Sequence, residues 1–239
     1  MRWPKSAFNF FLFLAIFLPA AHAADGSCVV LLHGLWRSDG SMNKMEQTLG
    51  EAGFQVRNIG YESTEKTVEE LADETIPRAL DACGDLRPVH FVTHSMGGIL
   101  IRQYLEHDRI ESLGRVVMLG PPNQGSEVVD TYDRFPAFEW FSGPAGLQLG
   151  TGEASVPRAL GPATFDVGVI AGTRSINPIL STIIPEQDDG KVSVESTRVE
   201  GMKDHLELPV NHVFMMRDPE VIAQVVHYLD HGTFFRGVN

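Results

Sequence analysis

The sequence predicts an α/β fold, in which a mostly parallel central sheet is covered by helices on both faces. Short apolar runs typical of strands buried on both faces recur at 29–32, 116–119 and 167–171. Segments with the spacing of amphipathic helices separate these runs, and Gly and Pro mark the connections. The chain has 239 residues, of which 43% are hydrophobic, which is enough for one domain with a single core.

The N-terminal residues 1–23 have the features of a secretory signal peptide. A positively charged start precedes an apolar run at 10–18, and Ala21-His22-Ala23 is a small-x-small cleavage site. The apolar run is short for a membrane span, so we expect cleavage rather than anchoring. The product, residues 24–239, is then a single domain that is periplasmic or secreted.

The charge balance argues against two classes of partner. Loss of residues 1–23 removes Arg2 and Lys5 and no acidic residue, so the net charge changes from −12 for the whole sequence to −14. This strongly negative balance disfavours nucleic acid as a partner and electrostatic adhesion to anionic lipid.

The elements follow each other in a regular order. We predict strands at 29–32, 54–59, 89–93, 116–119, 167–171 and 206–211. We predict helices at 42–49, from Thr67 to about Leu80, from Ile99 to about His107, and at 219–228. Pro77 is expected to bend the second helix or to divide it into two pieces.

Ser95 is the candidate nucleophile. A β-favouring run ends at this serine, and a helical pattern begins at Ile99. A strand that reverses into a helix at a serine holds that serine in a strained backbone conformation and exposes its hydroxyl. Gly97 and Gly98 leave room for the helix behind the strand. The pattern matches G-x-S-x-G, except that Thr93 occupies the position of the first glycine.

A serine hydroxyl needs a base to accept its proton, and the base needs an orienting acid. We favour His212 as the base, because it lies in the loop beyond the last predicted strand, at the sheet edge where Ser95 is expected. His205 is the alternative, but it would lie at the other end of that strand. His227 and His231 share one helix with i,i+4 spacing; since no third metal ligand is nearby, we interpret them as residues of a solvated helix face.

The acid is expected in the polar turn at 187–192. We favour Asp189, which precedes Gly190, and Asp188 remains an alternative because two adjacent acids cannot both face one imidazole. The other candidates lie in or beside the region 131–166: Asp130, Asp133 and Asp166.

An oxyanion that forms at the substrate carbonyl needs two preorganised donors. We expect them to be the backbone N–H of Met96, which follows the nucleophile, and that of Leu35, in the loop after the first strand. His33 and His94 flank this position, and we interpret both as hydrogen-bonded scaffolding.

The region 131–166, which we call the cap segment, is too long for an ordinary connection. Because it follows the C-terminal end of a strand, we expect it to cover the active site. Its aromatic residues could line an acyl pocket, make transient contact with a lipid surface, or pack as a small satellite core. They are Tyr132, Phe135, Phe138, Trp140 and Phe141.

Two cysteines, Cys28 and Cys83, remain in the exported chain, and an even pair in this compartment suggests a disulfide. Cys28 begins the first predicted strand and Cys83 precedes the third. If those strands are parallel neighbours, both cysteines lie at the N-terminal edge of the sheet, far from the serine. Two separate buried thiols are the alternative.

Five motifs in this order resemble the bacterial esterase/lipase branch of the α/β-hydrolase superfamily: residues 31–35, 92–98, 121–126, 189–192 and 211–212. The similarity to triacylglycerol lipases and GPI inositol-deacylase-like enzymes covers nearly all of the mature chain. It implies a Ser95–Asp189–His212 triad, an oxyanion hole made by Leu35 and Met96, and hydrolysis of a small-molecule or lipid ester through an acyl-enzyme. Some lipases of this group carry a structural calcium ion, but its ligands are not matched residue by residue in this sequence. We therefore assign no metal site and no cofactor, and a calcium requirement is left open.

Other functions would use the same scaffold. An acyltransferase or a thioesterase would combine this triad with another acceptor or leaving group, and the sequence does not separate these from an esterase. A non-catalytic binding protein is the alternative from another class, and the presence of serine, base, acid and both oxyanion loops argues against it. The natural substrate and the oligomeric state are left open.

Overall fold

A computed structural model describes residues 26–184 and 186–237, so the predicted signal peptide, residues 1–23, lies outside the described residues. The strands are β1 (Cys28–Leu32), β2 (Gln55–Ile59), β3 (Val89–His94), β4 (Leu113–Leu119), β5 (Val167–Gly172) and β6 (Asp204–Leu208). They form one six-stranded sheet in the order β2-β1-β3-β4-β5-β6, and all neighbouring strands are parallel. The predicted fold class is thereby confirmed.

Helices connect the strands and cover the sheet. Within the described residues they are α1 (Asn43–Glu51), α2 (Val68–Cys83), α3 (Met96–His107), α4 (Glu127–Tyr132), α5 (Pro136–Leu147), α6 (Val156–Ala159), α7 (Pro178–Ser181) and α8 (Pro219–His231). No helix in this part of the chain is both long and apolar enough to cross a membrane.

The two faces of the sheet are covered by different helices, because side chains alternate along each strand. Val29 and Leu31 of β1 point to the face on which α1 and α8 pack. Val30 and Leu32 point to the opposite face, which packs against α2 and α3. Burial of both faces explains why β1, β3 and β5 are buried along their whole length.

Two elements differ in part from their sequence predictions: β6 is shorter at its C-terminal end, and Pro77 does not divide α2. β6 ends at Leu208 rather than at residue 211, because Pro209 has no N–H to donate to the ladder with β5. α2 runs through Pro77 as one helix. A capping box formed by Thr67 and Glu70 fixes its start. Before the proline the buried face of α2 packs mainly against α3 and the cap segment, and from Ile76 onward it packs against the sheet.

Cys28 and Cys83 form a disulfide bond with a Cα–Cα distance of 5.8 Å. Cys28 is the first residue of β1, and Cys83 is the last residue of α2. The bond therefore lies at the N-terminal edge of the sheet, whereas Ser95 follows the C-terminal end of β3. It ties the helix that precedes β3 to the strand beside β3.

The connection between β4 and β5 contains α4, α5 and α6, and α4 begins before the predicted start of the cap segment at residue 131. Helix α5 is interrupted at Gly143, where φ is 61° and a Cβ would collide with the Thr64 carbonyl. At this close contact the Ala145 N–H donates to the Lys66 carbonyl at 3.0 Å. The cap segment is thus fastened to the loop that follows β2.

Candidate active site

Ser95 lies at the junction of β3 and α3 with φ 53° and ψ −122°, a left-handed conformation that is rare for a residue with a side chain. The turn is so tight that a Cβ on Gly97 would lie 2.8 Å from the carbonyl oxygens of Leu32 and His33. Thr93 is fully buried behind the turn, 3.3 Å from where a Cβ on Gly98 would stand. The sharp reversal leaves the Ser95 hydroxyl at the C-terminal edge of the sheet.

His212 connects the serine to an acid. The distance from His212 Nε2 to Ser95 Oγ is 3.0 Å, and that from His212 Nδ1 to Asp189 Oδ2 is 2.7 Å. A carboxylate accepts hydrogen bonds, so Nδ1 carries the proton and Nε2 is the acceptor for the Ser95 hydroxyl. His212 and Asp189 are 4% and 1% exposed, respectively, so bulk water competes little for these bonds.

The carboxylate of Asp189 is oriented by its own turn. Its Oδ1 accepts the backbone N–H groups of Lys191 at 3.0 Å and Val192 at 2.9 Å, which leaves Oδ2 for the imidazole. Asp188 points elsewhere, since its Oδ1 accepts from the Ser181 hydroxyl and from the Gly190 N–H. Of the two adjacent acids, only Asp189 contacts the histidine.

The remaining candidate acids lie away from His212. Asp130 accepts hydrogen bonds from the backbone N–H and the hydroxyl of Thr151. Asp166 accepts from the Tyr228 hydroxyl at 2.7 Å. Asp133 is exposed on the surface at the C-terminal end of α4.

The other candidate histidines have structural partners. His205 lies at the beginning of β6 and pairs with the Thr197 hydroxyl at 2.9 Å, so it is at the opposite end of the strand from His212. His227 and His231 stack on each other, with ring centroids 4.2 Å apart. Their Nδ1–H groups donate to backbone carbonyls. In the described residues, no group of three or more His, Cys, Asp or Glu side chains could hold a metal ion.

Two buried histidines support the site as neutral groups. His94 Nε2–H donates to the backbone carbonyl of His212 at 2.9 Å, so it holds the loop that carries His212. Burial, followed by the charges of His212, Arg37 and Lys191, keeps the pKa of His94 well below its usual value. Burial likewise lowers the pKa of His33, whose ring stacks on Tyr61.

The backbone N–H groups of Leu35 and Met96 donate no hydrogen bond to another described residue. Met96 is the first residue of α3, where backbone N–H groups have no partner within the helix. The loop carrying Leu35 is held in place by the Tyr61 hydroxyl, which donates to the His33 carbonyl, and by Ser63 Oγ, which accepts the Trp36 N–H at 3.1 Å.

A cleft with about 570 Å³ of space open to solvent lies above Ser95 and His212. Much of its lining is apolar, and part comes from the connection between β4 and β5: Val128, Val129, Phe138 and Leu149. Phe135, Trp140 and Phe141 of the cap segment are instead more than half exposed. The cleft suits an apolar group placed next to the serine.

Two cations that the sequence analysis did not identify also line the cleft: Arg37 and Lys191. The Lys191 ammonium lies 4.4 Å from the centroid of the Trp36 ring. Burial, followed by the charge of Arg37, lowers the pKa of Lys191 to about 8, and the charge of Asp189 opposes the shift. The sequence signal that could have identified these cations is their position. Arg37 lies two residues after Leu35, and Lys191 lies two residues after Asp189, and both of these were predicted site residues.

Comparison with known proteins gives a family match and structural neighbours. The model of the "Alpha/beta hydrolase family" matches residues 29–225. No curated protein matches the sequence significantly.

Among solved structures, the mature form of the Bacillus licheniformis lipase BlEst2 is similar with a TM-score of 0.67 and 18% identity, over 86% of this chain and 92% of that one. The metagenomic carboxyl esterase MGS0156 has a TM-score of 0.65 and 17% identity, over 88% and 72% of the two chains. For the phospholipase PlaB of Legionella pneumophila the TM-score is 0.67 and the identity 15%, over 87% of this chain and 60% of that longer protein. At these identities the likeness concerns the fold alone.

Proposed function

Because this chain belongs to the alpha/beta hydrolase family, we propose that it is an exported serine hydrolase that cleaves carboxylic esters through an acyl-enzyme on Ser95. The observation that carries this proposal is the relay of two hydrogen bonds, 3.0 Å from Ser95 to His212 and 2.7 Å from His212 to Asp189. A serine with a neutral imidazole at this distance, oriented by a buried carboxylate, has what nucleophilic catalysis requires.

In the first half of the reaction, His212 Nε2 accepts the hydroxyl proton as Ser95 Oγ attacks the ester carbonyl. Asp189 keeps the proton of the imidazole on Nδ1 and stabilises the imidazolium that forms. The backbone N–H groups of Leu35 and Met96 would receive the oxyanion of the tetrahedral intermediate. His212 then gives its proton to the departing alkoxide, and the acyl group remains on Ser95.

In the second half, water takes the position of the alcohol. His212 accepts a proton from this water as its oxygen attacks the acyl carbonyl, and then returns the proton to Ser95 Oγ. The carboxylic acid leaves and the free enzyme is regenerated. No step needs a cofactor, because the charge that develops is met by backbone donors and by the imidazolium.

We assign the cap segment, residues 131–166, the role of covering the bound acyl group. Phe138 and Leu149 of this segment line the cleft beside Ser95, and their apolar surface suits the hydrocarbon part of an acyl group. The substrate would be a small-molecule or lipid ester. The exposed rings of Trp140 and Phe141 at the outer surface are consistent with transient contact with lipid.

Export rests on the signal-peptide pattern of residues 1–23 and is compatible with the disulfide between Cys28 and Cys83. It is tested by expressing the full chain and measuring the intact mass of the protein in the exported fraction. A mass that begins at Ala24 supports export, and an uncleaved chain in the cytoplasmic or membrane fraction contradicts it.

The enzymatic assignment is tested by labelling with a fluorophosphonate probe and by rates on aryl esters of increasing chain length. We expect wild type and Ser126→Ala, a second serine of the cleft, to be labelled, and Ser95→Ala to be neither labelled nor active. Absence of labelling in the wild type would contradict the proposal and favour a binding protein. If an added alcohol captures the acyl group faster than water does, the protein is an acyltransferase instead.

A further inference from the structure

Arg37 and Lys191 bring two positive charges to the cleft that contains Ser95 and His212. They lie close enough for the charge of Arg37 to lower the pKa of Lys191. Two like charges at one cleft raise the free energy of the empty site, and the rest of the lining is mainly apolar. A negative charge placed between these two cations would lower that free energy.

The described residues supply only part of that negative charge: the charge of Asp189 acts on Lys191, and Asp39, Glu62 and Glu65 line a second groove together with Arg37. Neither Arg37 nor Lys191 is part of an ion pair within the ranges 26–184 and 186–237. Asp189, the acid nearest to Lys191 in sequence, is bonded to His212 and to two backbone N–H groups, and Asp39, the acid nearest to Arg37, is exposed. The lack of an ion pair within these ranges is unusual in a chain with 31 acidic and only 19 basic residues, where acids are abundant.

Both cationic residues belong to backbone turns next to the proposed site residues. Lys191 belongs to the turn whose N–H groups orient Asp189, and its ammonium rests on the Trp36 ring. Arg37 closes a turn with Gly34 through a backbone hydrogen bond of 3.2 Å, in the loop that carries Leu35. The loop that carries Leu35 and the turn that carries Asp189 thus each contribute one cation to the cleft.

We propose that Arg37 and Lys191 bind an anionic group of the substrate, a carboxylate or a phosphate, so that the enzyme prefers esters with a negative charge a few bonds from the scissile carbonyl. This inference rests on the proposed function and specifies its substrate class. The apolar side of the cleft takes the hydrocarbon part of the molecule, and the cationic side takes the charged group. Arg37 provides a planar fork of N–H donors, and Lys191 provides a compact point charge.

A purely structural role for Lys191 would have another signature. A lysine that only packs on Trp36 contributes to stability and affects all esters alike. A lysine that binds an anion affects charged esters selectively. The ratio of kcat/KM for two esters of equal length, one charged and one neutral, therefore separates the two roles.

The kinetic test compares mono-p-nitrophenyl glutarate with p-nitrophenyl valerate, which have the same leaving group and the same number of acyl carbons. We expect Lys191→Met and Arg37→Met each to lower the glutarate/valerate ratio about tenfold, the size of one charge-assisted hydrogen bond. Lys191→Arg should restore most of the ratio. The control Lys44→Met removes an exposed lysine of α1, outside the cleft, and should leave the ratio unchanged. An unchanged ratio in both cleft variants would overturn the proposal.

A binding measurement makes the test independent of hydrolysis. Ser95→Ala protein is titrated by calorimetry with glutarate and with phenyl phosphate, and the relative affinities distinguish carboxylate from phosphate. Binding that is weakened about tenfold by Lys191→Met and not by Lys44→Met supports the anion site even if no ester is cleaved. If the aryl esters are hydrolysed but neither anion binds, the hydrolase assignment stands and the inference is wrong.

Discussion

His212 and Asp189 are joined by two hydrogen bonds. The backbone N–H of His212 donates to the backbone carbonyl of Asp189 at 2.9 Å, and its Nδ1–H donates to the carboxylate at 2.7 Å. The loop with the proposed base is therefore attached to the turn with the proposed acid by backbone as well as by side chain. A substitution of the carboxylate leaves the backbone bond in place, so the chemical role of Asp189 can be tested separately from its structural one.

Asp189→Asn should lower kcat about 10⁴-fold, because an amide no longer holds the imidazole in the tautomer that accepts the serine proton. We expect Tm to change by only a few degrees, since Asn fits the same space. The matched control is Asp188→Asn, which keeps an oxygen to accept from Ser181 and Gly190 and should cost less than about tenfold. A larger loss in Asp188→Asn than in Asp189→Asn would reverse the assignment.

Gly97→Ala should abolish activity and lower stability. The added Cβ would stand 2.8 Å from two backbone carbonyl oxygens, those of Leu32 and His33, so β1 or α3 must move, and Ser95 with it. Gly50→Ala in α1 is the control, because no atom lies within 4 Å of the position of the added Cβ. The alanine also reduces the flexibility of the unfolded chain. It should raise the free energy of unfolding by about 0.5–1 kcal/mol. Ester hydrolysis measures the effect on activity, and urea titration measures the effect on stability. An active Gly97→Ala protein would contradict this account of the turn at Ser95.

Replacing both Cys28 and Cys83 by Ala should destabilise the protein without lowering its specific activity at 25 °C. The disulfide spans 55 residues, and loss of a cross-link of this length costs up to about 4 kcal/mol. Activity is retained because the bond lies at the edge of the sheet opposite to Ser95. Denaturant unfolding of the variant should coincide with that of the reduced wild type, whereas a large fall in kcat of the folded variant would show that the bond also shapes the site.

The free energy of unfolding should fall as the pH is lowered from 7 to 5. Burial lowers the pKa of His90 and that of His205 to about 4, so both stay neutral in the folded protein while they take up protons in the unfolded chain below about pH 6.5. The unfolded state then binds more protons, and His90 costs about 2 kcal/mol over this range. His205 is only partly buried, so solvent screening makes its contribution smaller.

The variant His90→Asn isolates one of these contributions. Its side-chain oxygen can replace Nδ1 as the acceptor of the Arg115 N–H, but it does not titrate. Urea unfolding at pH 7 and pH 5 should show a smaller pH dependence for this variant than for the wild type. An unchanged pH dependence would mean that His90 does not supply the effect.

The preference for anionic esters should decrease above about pH 8, where the Lys191 ammonium loses its proton. Below that pH Lys191 is charged and binds the anion, and above it only Arg37 remains charged. The glutarate/valerate ratio of kcat/KM removes any pH dependence of the catalytic steps that is common to both esters. Lys191→Arg should make the ratio independent of pH up to about 10, because a guanidinium stays charged. A wild-type ratio without an inflection would contradict the role of Lys191.

The fold class could be predicted from the sequence because it depends on signals that are local. Runs such as 29–32 and 167–171 are apolar at every position, which indicates strands buried on both faces. Ser95 and His212 are 117 residues apart, yet each lies just beyond a predicted strand of a parallel sheet, and such strands end at one edge. The order of the strands in the sheet and the shared C-terminal edge together bring the two residues near each other.

The remaining features depend on contacts that the sequence does not display. Which of Asp188 and Asp189 faces His212 depends on a turn in which Gly190 has φ 99°. Lys191 and Arg37 resemble ordinary surface cations until the folded loops place them at one cleft. The end of β6 depended on the missing N–H of Pro209 rather than on the alternating apolar pattern, which continues to residue 210.

Trp36 is a fluorescent reporter for the cleft above Ser95. Its indole N–H donates to the Phe141 carbonyl at 2.7 Å, its ring meets Phe138 edge-on, and one face carries the Lys191 ammonium. Of the other two tryptophans, Trp3 belongs to the expected leader and Trp140 is 80% exposed. A Trp140→Phe protein that starts at residue 24 would therefore emit from one indole, whose quantum yield responds to the charge above it and to the rings of the cap segment. Arrival of an acyl chain or an anion could then be followed in real time without a dye.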